Sequence, residues 1–584
     1  MYSKPGGYSP SEHEYTAWIT QNEPSASDLY HQRQTALNFN YRPLISVVTP
    51  VYNPPLEVLE KTISSVLNQT YSNWELCLVD GGSTEPAVIE VLDKYQALSD
   101  QVHLKTLERN QGISANTNIA IELAKGEFLA FLDHDDLLAP NALYEVVKKL
   151  NEIPDTDVLY SDHDLISSTN DQRINPLFKP NWSPEIMLSA NYITHLTVVR
   201  TALARDLGGF RSEYNGAQDW DLYLRISERT DKITHIPKIL YHWRDNQNST
   251  AGNIWSKDYA PPAQLLAIKD HLKRQGHTNP DVFFTNAGHI RVSWKPKEKR
   301  KVSIIIPSKG YNSLIKKCIH SILRKTDYNK YEIVIVNNGD RHPDEFTEYQ
   351  RLIQDSRITV VHFEGSFNYS AINNYGAKFA TGTLLLFLNN DTEVLESDWL
   401  DELVMWADSD GVGAVGAKLL KPNGSIQHAG VIIGLTGFAG HMFMGQPEYQ
   451  WTIFGLPEWY RNYLAVTSAC MMIKTDVFER IGGYDESFIM NGSDVEICLR
   501  LHNAGLRVVY NPFVKIKHVE GATREESIPP GDFQESFHHY FPYLESGDPF
   551  YNPNLSYWHL SPTLVQPGEK TPLEFTKAYT SQEN

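Results

Sequence analysis

ISVVTPVYN, residues Ile45 to Asn53, and VSIIIPSKG, residues Val302 to Gly310, decide the fold of this 584-residue chain. Each is an apolar run of strand length that stops at a proline and a polar turn, the pattern of a strand buried on both faces. A helical pattern follows each run, with Leu59, Ile63, Val66 and Leu67 on one face in the first copy and Leu314, Cys318, Ile319 and Ile322 in the second. A second strand and turn come next, WELCLVDGGS in the first copy and YEIVIVNNGD in the second. Pro50 and Pro307 stand 257 positions apart, and so do Asp80 and Asn337 at the ends of these second strands. Farther on, GEFLAFLDHDD answers GTLLLFLNND, with Asp135 and Asp391 separated by 256 positions. A drift of one residue over this span marks a duplicated domain.

The offset widens downstream, where LGGF near Gly209 is answered by IGGYDESF near Gly483, and DWDLYLR from Asp219 by DVEICLR from Asp494. The second copy therefore carries an insertion in its middle, placed at the aromatic stretch His441 to Tyr463 with Trp451, Trp459, Tyr460 and Tyr463. Such rings either fill a core or stack on acceptor sugars. Strands alternating with helices imply βαβ units and a mostly parallel sheet in each copy, an α/β class whose ligands bind at the carboxyl ends of the strands. The expected organisation is an N-terminal extension over 1–40, a first domain over 41–294, a basic linker over 295–301, a second domain over 302–545 and a tail over 546–584. Both extensions are expected to wrap the domains rather than fold alone.

Composition narrows the function. A formal charge of -19 argues against a nucleic-acid partner, whose affinity comes from Lys and Arg neutralising phosphates. The one dense basic run, KPKEKRK from Lys295 to Lys301, reads as a solvated linker, with weak attraction to an anionic membrane surface as the lesser reading. Cys77, Cys318, Cys470 and Cys498 lie in apolar or amphipathic segments without metal-ligand spacing, as reduced core thiols do. No apolar stretch suits a signal peptide or a membrane span, so a cytoplasmic location is expected, with at most peripheral contact at the inner face of the membrane. GLTGFAG, Gly434 to Gly440, lacks the context of a dinucleotide loop and reads as a plain loop. GxSxG, HExxH and paired CxxC motifs are missing, which removes support for hydrolase, zinc-protease and zinc-finger readings.

The chemistry concentrates where the buried runs end. One Asp in a turn is ordinary, because its side chain bonds its own backbone. Asp133, Asp135 and Asp136 within four residues repel one another unless a cation intervenes. An oxygen-rich site of this kind suits Mg²⁺ or Mn²⁺ shared with a substrate's phosphates. At an effective dielectric near 20, a unit-charge pair about 4 Å apart is worth roughly 4 kcal/mol, so an acidic protein holds a diphosphate through an ion without a basic patch.

The ordered set TPVYN, VDGGS, FLDHDD, GGF and QDWDLYLR, followed by IIPSKG, VNNGD, FLNND, GGYDESF and SDVEICLR, resembles family 2 glycosyltransferases of the GT-A fold, particularly bacterial tandem-domain enzymes of surface polysaccharide assembly. The resemblance covers about residues 45 to 245 and 302 to 525. It implies nucleotide-sugar contacts at Pro50, Tyr52, Asp80, Asp133 and Arg244, and at Pro307, Asn337 and Asn389. It implies a divalent cation at Asp135 and Asp391, with His242 and His518 as further ligands. The general bases it implies are Asp219 and Asp494, for which helix capping is the alternative. His242 and His518 follow these acids at nearly equal spacing, and a structural strand-end histidine is the competing role for both.

The expected reaction is inverting transfer of a hexose or deoxyhexose from a UDP-, dTDP- or GDP-linked donor to a growing glycan or lipid-linked acceptor. Asn337 and Asn389 replace acids in the second copy, so the alternative is one active domain beside a donor- or glycan-binding module. A sugar nucleotidyltransferase is the other alternative, but VYNPP and SKGYN stand where its Gly-rich basic loop belongs.

Overall fold

The computed structural model describes residues 9–245, 258–296, 298–339, 343–519 and 529–580. Two large sheets share one plan. The first runs, edge to edge, Val102–Thr106, Trp74–Asp80, Ile45–Val51, Phe128–Phe131, Thr197–Arg200, Val158–Ser167, Ile233–Asp245 and Leu137–Leu138. The second runs Ile358–His362, Tyr331–Asn337, Val302–Ser308, Leu384–Leu388, Cys470–Lys474, Val412–Leu420, Arg507–His518 and Thr392–Val394. Parallel and antiparallel pairs follow the same order in both. Ile45 pairs with Trp74 and Phe128, as Val302 pairs with Tyr331 and Leu384, so the duplication extends to register.

The prolines sit where the sheet parts. Ile45–Val51 pairs with Phe128–Phe131 only as far as Val48, and Val302–Ser308 pairs with Leu384–Leu388 only as far as Ile305. Pro50 and Pro307 lie just past these ends, where a missing N–H costs no ladder bond. Crossovers leave toward opposite edges here, opening a crevice beyond the strand ends. The helices that follow, Leu56–Leu67 and Ser313–Lys325, bury Leu59, Thr62, Ile63 and Val66 and then Ile315, Cys318, Ile319, Ser321 and Ile322. Leu67 and Leu314, expected on these faces, are only half-buried. All four cysteines are buried thiols.

The second copy's insertion lies between Leu420 and Cys470 and contributes Ile426–His428, Val431–Ile433, Ala439–His441 and Arg461–Tyr463. GLTGFAG turns the chain between two of these short antiparallel strands. Gly437 has φ 90°, and a Cβ there would stand 2.3 Å from the ring of Phe575, so the turn doubles as a seat for the C-terminal helix Pro572–Thr580.

Both extensions fasten onto the first sheet. Tyr15, on the helix Glu12–Asn22, donates to Asp164 Oδ2 at 2.6 Å, and Glu23 pairs with Arg173. From the tail, Asn552 donates to buried Asp162 Oδ2 at 2.8 Å and to the Lys179 carbonyl at 2.9 Å. In the basic run, Arg300 pairs with Asp408 and Lys301 with Glu332. Among the described residues, no helix is long and apolar enough to cross a membrane.

Candidate active site

The turn after Phe128–Phe131 sorts its three acids by position. Asp136 is fully buried and accepts from Tyr241 Oη at 2.6 Å and from the Arg244 amide at 2.7 Å. Burial, then repulsion from Asp135 and Asp133, pushes its pKa well up. It is therefore the anchor of the turn, while Asp133 and Asp135 stay half-buried. Arg244 Nε donates to the Asp135 carbonyl at 3.1 Å, and its Nη1 reaches Asp171. His134 Nδ1 lies 3.1 Å from the Pro50 carbonyl, tying the turn to the first strand. Tyr52, beyond that strand, is exposed. Asp80 closes the second strand fully buried. Its Oδ1 accepts from the Ser83 amide at 3.0 Å, and its Oδ2 has no hydrogen-bond partner among the described residues.

Asp219 stands in the first turn of Gln218–Ser227, where Ala217 holds the N-cap position. Its Oδ2 accepts from Asn191 Nδ2 at 2.9 Å and Thr194 Oγ1 at 3.2 Å. Burial raises its pKa, and these donors with the Trp220 amide restrain the rise. Asp219 and Asp133 line one cavity of about 910 Å³ with Pro50. Buried Lys179 braces the segment that carries Thr194 by donating to the carbonyls of Ser161, Thr194 and His195.

In the second copy the corresponding residues are linked by hydrogen bonds. His518 Nε2 lies 3.0 Å from Asp391 Oδ1 and 3.4 Å from Asn389 Nδ2. Tyr369 Oη donates to Asn389 Oδ1 and to the Ser468 carbonyl, both at 3.3 Å, and the Ser468 amide donates to Asp494 Oδ2 at 3.3 Å. The turn and the helix-borne acid are thus joined through Tyr369. Pro307, half-buried, is the penultimate residue of its strand. Asn337 differs from Asp80, since its Oδ1 already accepts from the amides of Gly310 and Gly339, each at 3.0 Å.

His242 and His518 are not counterparts. Thr392 pairs with His518, whereas Leu137 pairs with His242, so the residue opposite Asp136, the equivalent of Thr392, is Trp243. A slip of one residue turns a strand side chain to the other face. Accordingly, Trp243 lines the cavity and His242 places Nδ1 2.7 Å from buried Asp164.

Sequence reasoning missed a strut beneath each candidate base. Arg225 pairs with Asp221 and donates to the carbonyls of Leu207 and Gly209, and Arg500 pairs with Glu496 and donates to those of Ile481 and Gly483. The i,i+4 acid–arginine spacing after each aspartate was the available signal. Ligand atoms of Asp485, Glu496 and His539 lie within 4.8 Å of one another, but Glu496 is already held by Arg500. For a hard divalent cation, the fitting donors are the carboxylates of Asp133 and Asp135, and in the second copy Asn389, Asp391 and His518.

Two regions, residues 46–205 and 303–482, match the model of glycosyl transferase family 2, and the chain belongs to that family. It is 40% identical over 550 residues to the O-antigen biosynthesis protein RfbC of Myxococcus xanthus, covering 94% of this chain and 43% of that protein. It is 24% identical over 366 residues to the chondroitin synthase of Pasteurella multocida strain Pm70, covering 59% of this chain and 36% of that protein. The chain therefore spans less than half the length of either relative. Among solved structures, S. aureus TarS 1-349 in complex with UDP-GlcNAc is similar at 21% identity and a TM-score of 0.33, covering 39% of this chain and 66% of that one.

Proposed function

We propose that the chain is an inverting glycosyltransferase that moves hexosyl or deoxyhexosyl units from a nucleoside-diphosphate sugar onto a growing surface glycan or a lipid-linked acceptor. The observation that carries this reading is the shared cavity of Asp133 and Asp219 at the carboxyl ends of the strands. Asp219 takes the proton of the acceptor hydroxyl, that oxygen attacks the anomeric carbon, and the nucleoside diphosphate leaves from the opposite face with the bonding pair. A raised pKa makes Asp219 a better proton acceptor than an ordinary surface carboxylate. Asn191 and Thr194 aim it, and the buried Oδ2 of Asp80, without a hydrogen-bond partner among the described residues, suits a donor N–H on the base of the nucleotide. Mn²⁺ or Mg²⁺ held by Asp133 and Asp135, and by Asp391 with His518, would offset the charge of the diphosphate. The similarity to an O-antigen biosynthesis protein supports a surface-glycan product, made at the cytoplasmic face of the membrane with peripheral contact at most.

A second reading has its own support. Asn337 Oδ1 is already taken by two amides, that of Gly310 in the neighbouring turn and that of Gly339 in its own, which favours a second copy that binds glycan or donor without turning it over. A screen of nucleotide sugars with and without Mn²⁺ tests both readings. Asp219→Asn should slow transfer by about 10²- to 10⁴-fold while nucleotide binding persists. If Asp494→Asn slows a second, distinct transfer equally, both copies are active; full turnover in the double variant refutes the assignment.

A further inference from the structure

The cavity that holds Asp133 and Asp219 does not close within the first half of the chain. Part of its wall is Tyr449, Trp451 and Trp459 from the second half's insertion, and part is the turn Ala287 to Ile290 between the strands Thr278–Phe284 and Ile290–Lys295. We propose that this aromatic segment of the second half is the acceptor-binding wall of the first half's active site, so that the two halves form one catalytic unit for a glycan substrate. The proposal rests on the glycosyltransferase reading of the first site.

The insertion is bonded to the first half along its length. The Phe178 amide donates to the Ile453 carbonyl at 2.8 Å, the Asn462 amide to Ser183 Oγ at 3.0 Å, and the Tyr460 amide to Ser189 Oγ at 3.0 Å. Its rings are also held in place. The Arg461 guanidinium lies 4.6 Å from the Phe454 ring centroid and 5.2 Å from that of Trp459, and Trp459 meets Trp451 edge-on at 5.6 Å. Tyr449 stacks on His289 at 5.6 Å and 9°, and accepts from Lys515 Nζ at 3.2 Å, yet remains 48% exposed. A preorganised ring costs little to use in binding.

The lining matches the two-sided chemistry of a sugar, which offers a C–H face and a rim of hydroxyls. Alongside the rings, its lining residues include Asn191, His195 and His289, whose buried Oδ1, Nδ1 and Nε2 have no hydrogen-bond partner among the described residues. Asn191 also aims Asp219, so one cavity holds both this wall and the group that takes the acceptor's proton. The volume of about 910 Å³ is at the upper end of the ~300–1,000 Å³ common for ligand sites, which leaves room for an acceptor beside a donor sugar.

The test uses the full chain with two sets of probes, trisaccharides of hexose, 6-deoxyhexose and N-acetylhexosamine units, and UDP, dTDP and GDP with Mn²⁺. At least one trisaccharide should bind. Tyr449→Ala and Trp451→Ala should each weaken it about tenfold or more, the scale of one lost stacking ring, while nucleotide affinity holds. Tyr30→Ala, an exposed ring elsewhere, should change neither. Nucleotide binding with no trisaccharide bound, or with unchanged trisaccharide affinity in both variants, overturns this inference alone. Absence of nucleotide binding in the unaltered chain overturns the glycosyltransferase reading instead. If Trp451→Ala loses both ligands through misfolding, exposed Tyr449→Ala decides the matter.

Discussion

Asp80 and Asn337 share a register position at the end of the second strand, yet Asp80 Oδ2 has no hydrogen-bond partner among the described residues, whereas the single Oδ1 of Asn337 is taken by the amides of Gly310 and Gly339. Hydrogen bonds to charged groups are worth about 1.5–3 kcal/mol, so Asp80→Ala should weaken nucleotide binding by roughly ten- to a hundredfold in calorimetry. Asn337→Ala should leave that binding unchanged and lower thermal stability instead, by about 1–3 kcal/mol, because two amides lose their acceptor. Equal loss of binding in both variants would contradict the distinction. Asp219 makes a second residue-scale prediction. A base must be deprotonated to act, and burial raises this carboxyl above the ordinary 3.8. The acid limb of kcat/KM should therefore lie above that value, with activity falling as pH drops through it; a limb at or below the ordinary value argues against Asp219 as the base.

Elements place these residues through parts that catalysis does not touch. The helix Gln218–Ser227 is locked to the preceding loop by Arg225, whose partner Asp221 is fully buried. Asp221 keeps its second partner, Arg211, when Arg225 is lost, so Arg225→Met should cost less than the about 3–5 kcal/mol of breaking a buried pair outright, yet still lower the melting temperature. It should also reduce kcat, because Asp219 rides on the same helix. An unchanged melting temperature would show that the strut is dispensable. Strand register acts with equal force: one step along Ile233–Asp245 separates Trp243, in the cavity, from His242, on Asp164.

On the scale of the molecule, the tail joins the two halves. Asp548 is buried and accepts from the Ile433 amide in the second half, while Asn552 reaches Asp162 in the first. Burial pushes the Asp548 carboxyl up to about 7. A raised carboxyl contributes stability that is full below its unfolded value and lost as pH rises through the folded one. Protection of the tail from proteolysis should therefore fall between about pH 4 and 7 and level off above that, and Asp548→Asn should flatten that dependence; an equally steep profile in the variant would assign the effect to other groups.

The duplicated plan was legible in the sequence because it is written locally. Apolar runs, the prolines after them and the constant offsets between copies follow from backbone sterics and burial, and the sheets keep the same registers. The acidic turns and the two helix-borne acids were legible for the same reason. Tertiary structure alone decided that Asp136 anchors while Asp133 faces the cavity, and that Trp243 rather than His242 is equivalent to His518. It also carried the second half's aromatic insertion to the first half's site and Asn552 to Asp162. Those pairings join residues hundreds of positions apart, and their partners are chosen by packing and by the need of buried polar groups for hydrogen bonds, which no local periodicity records.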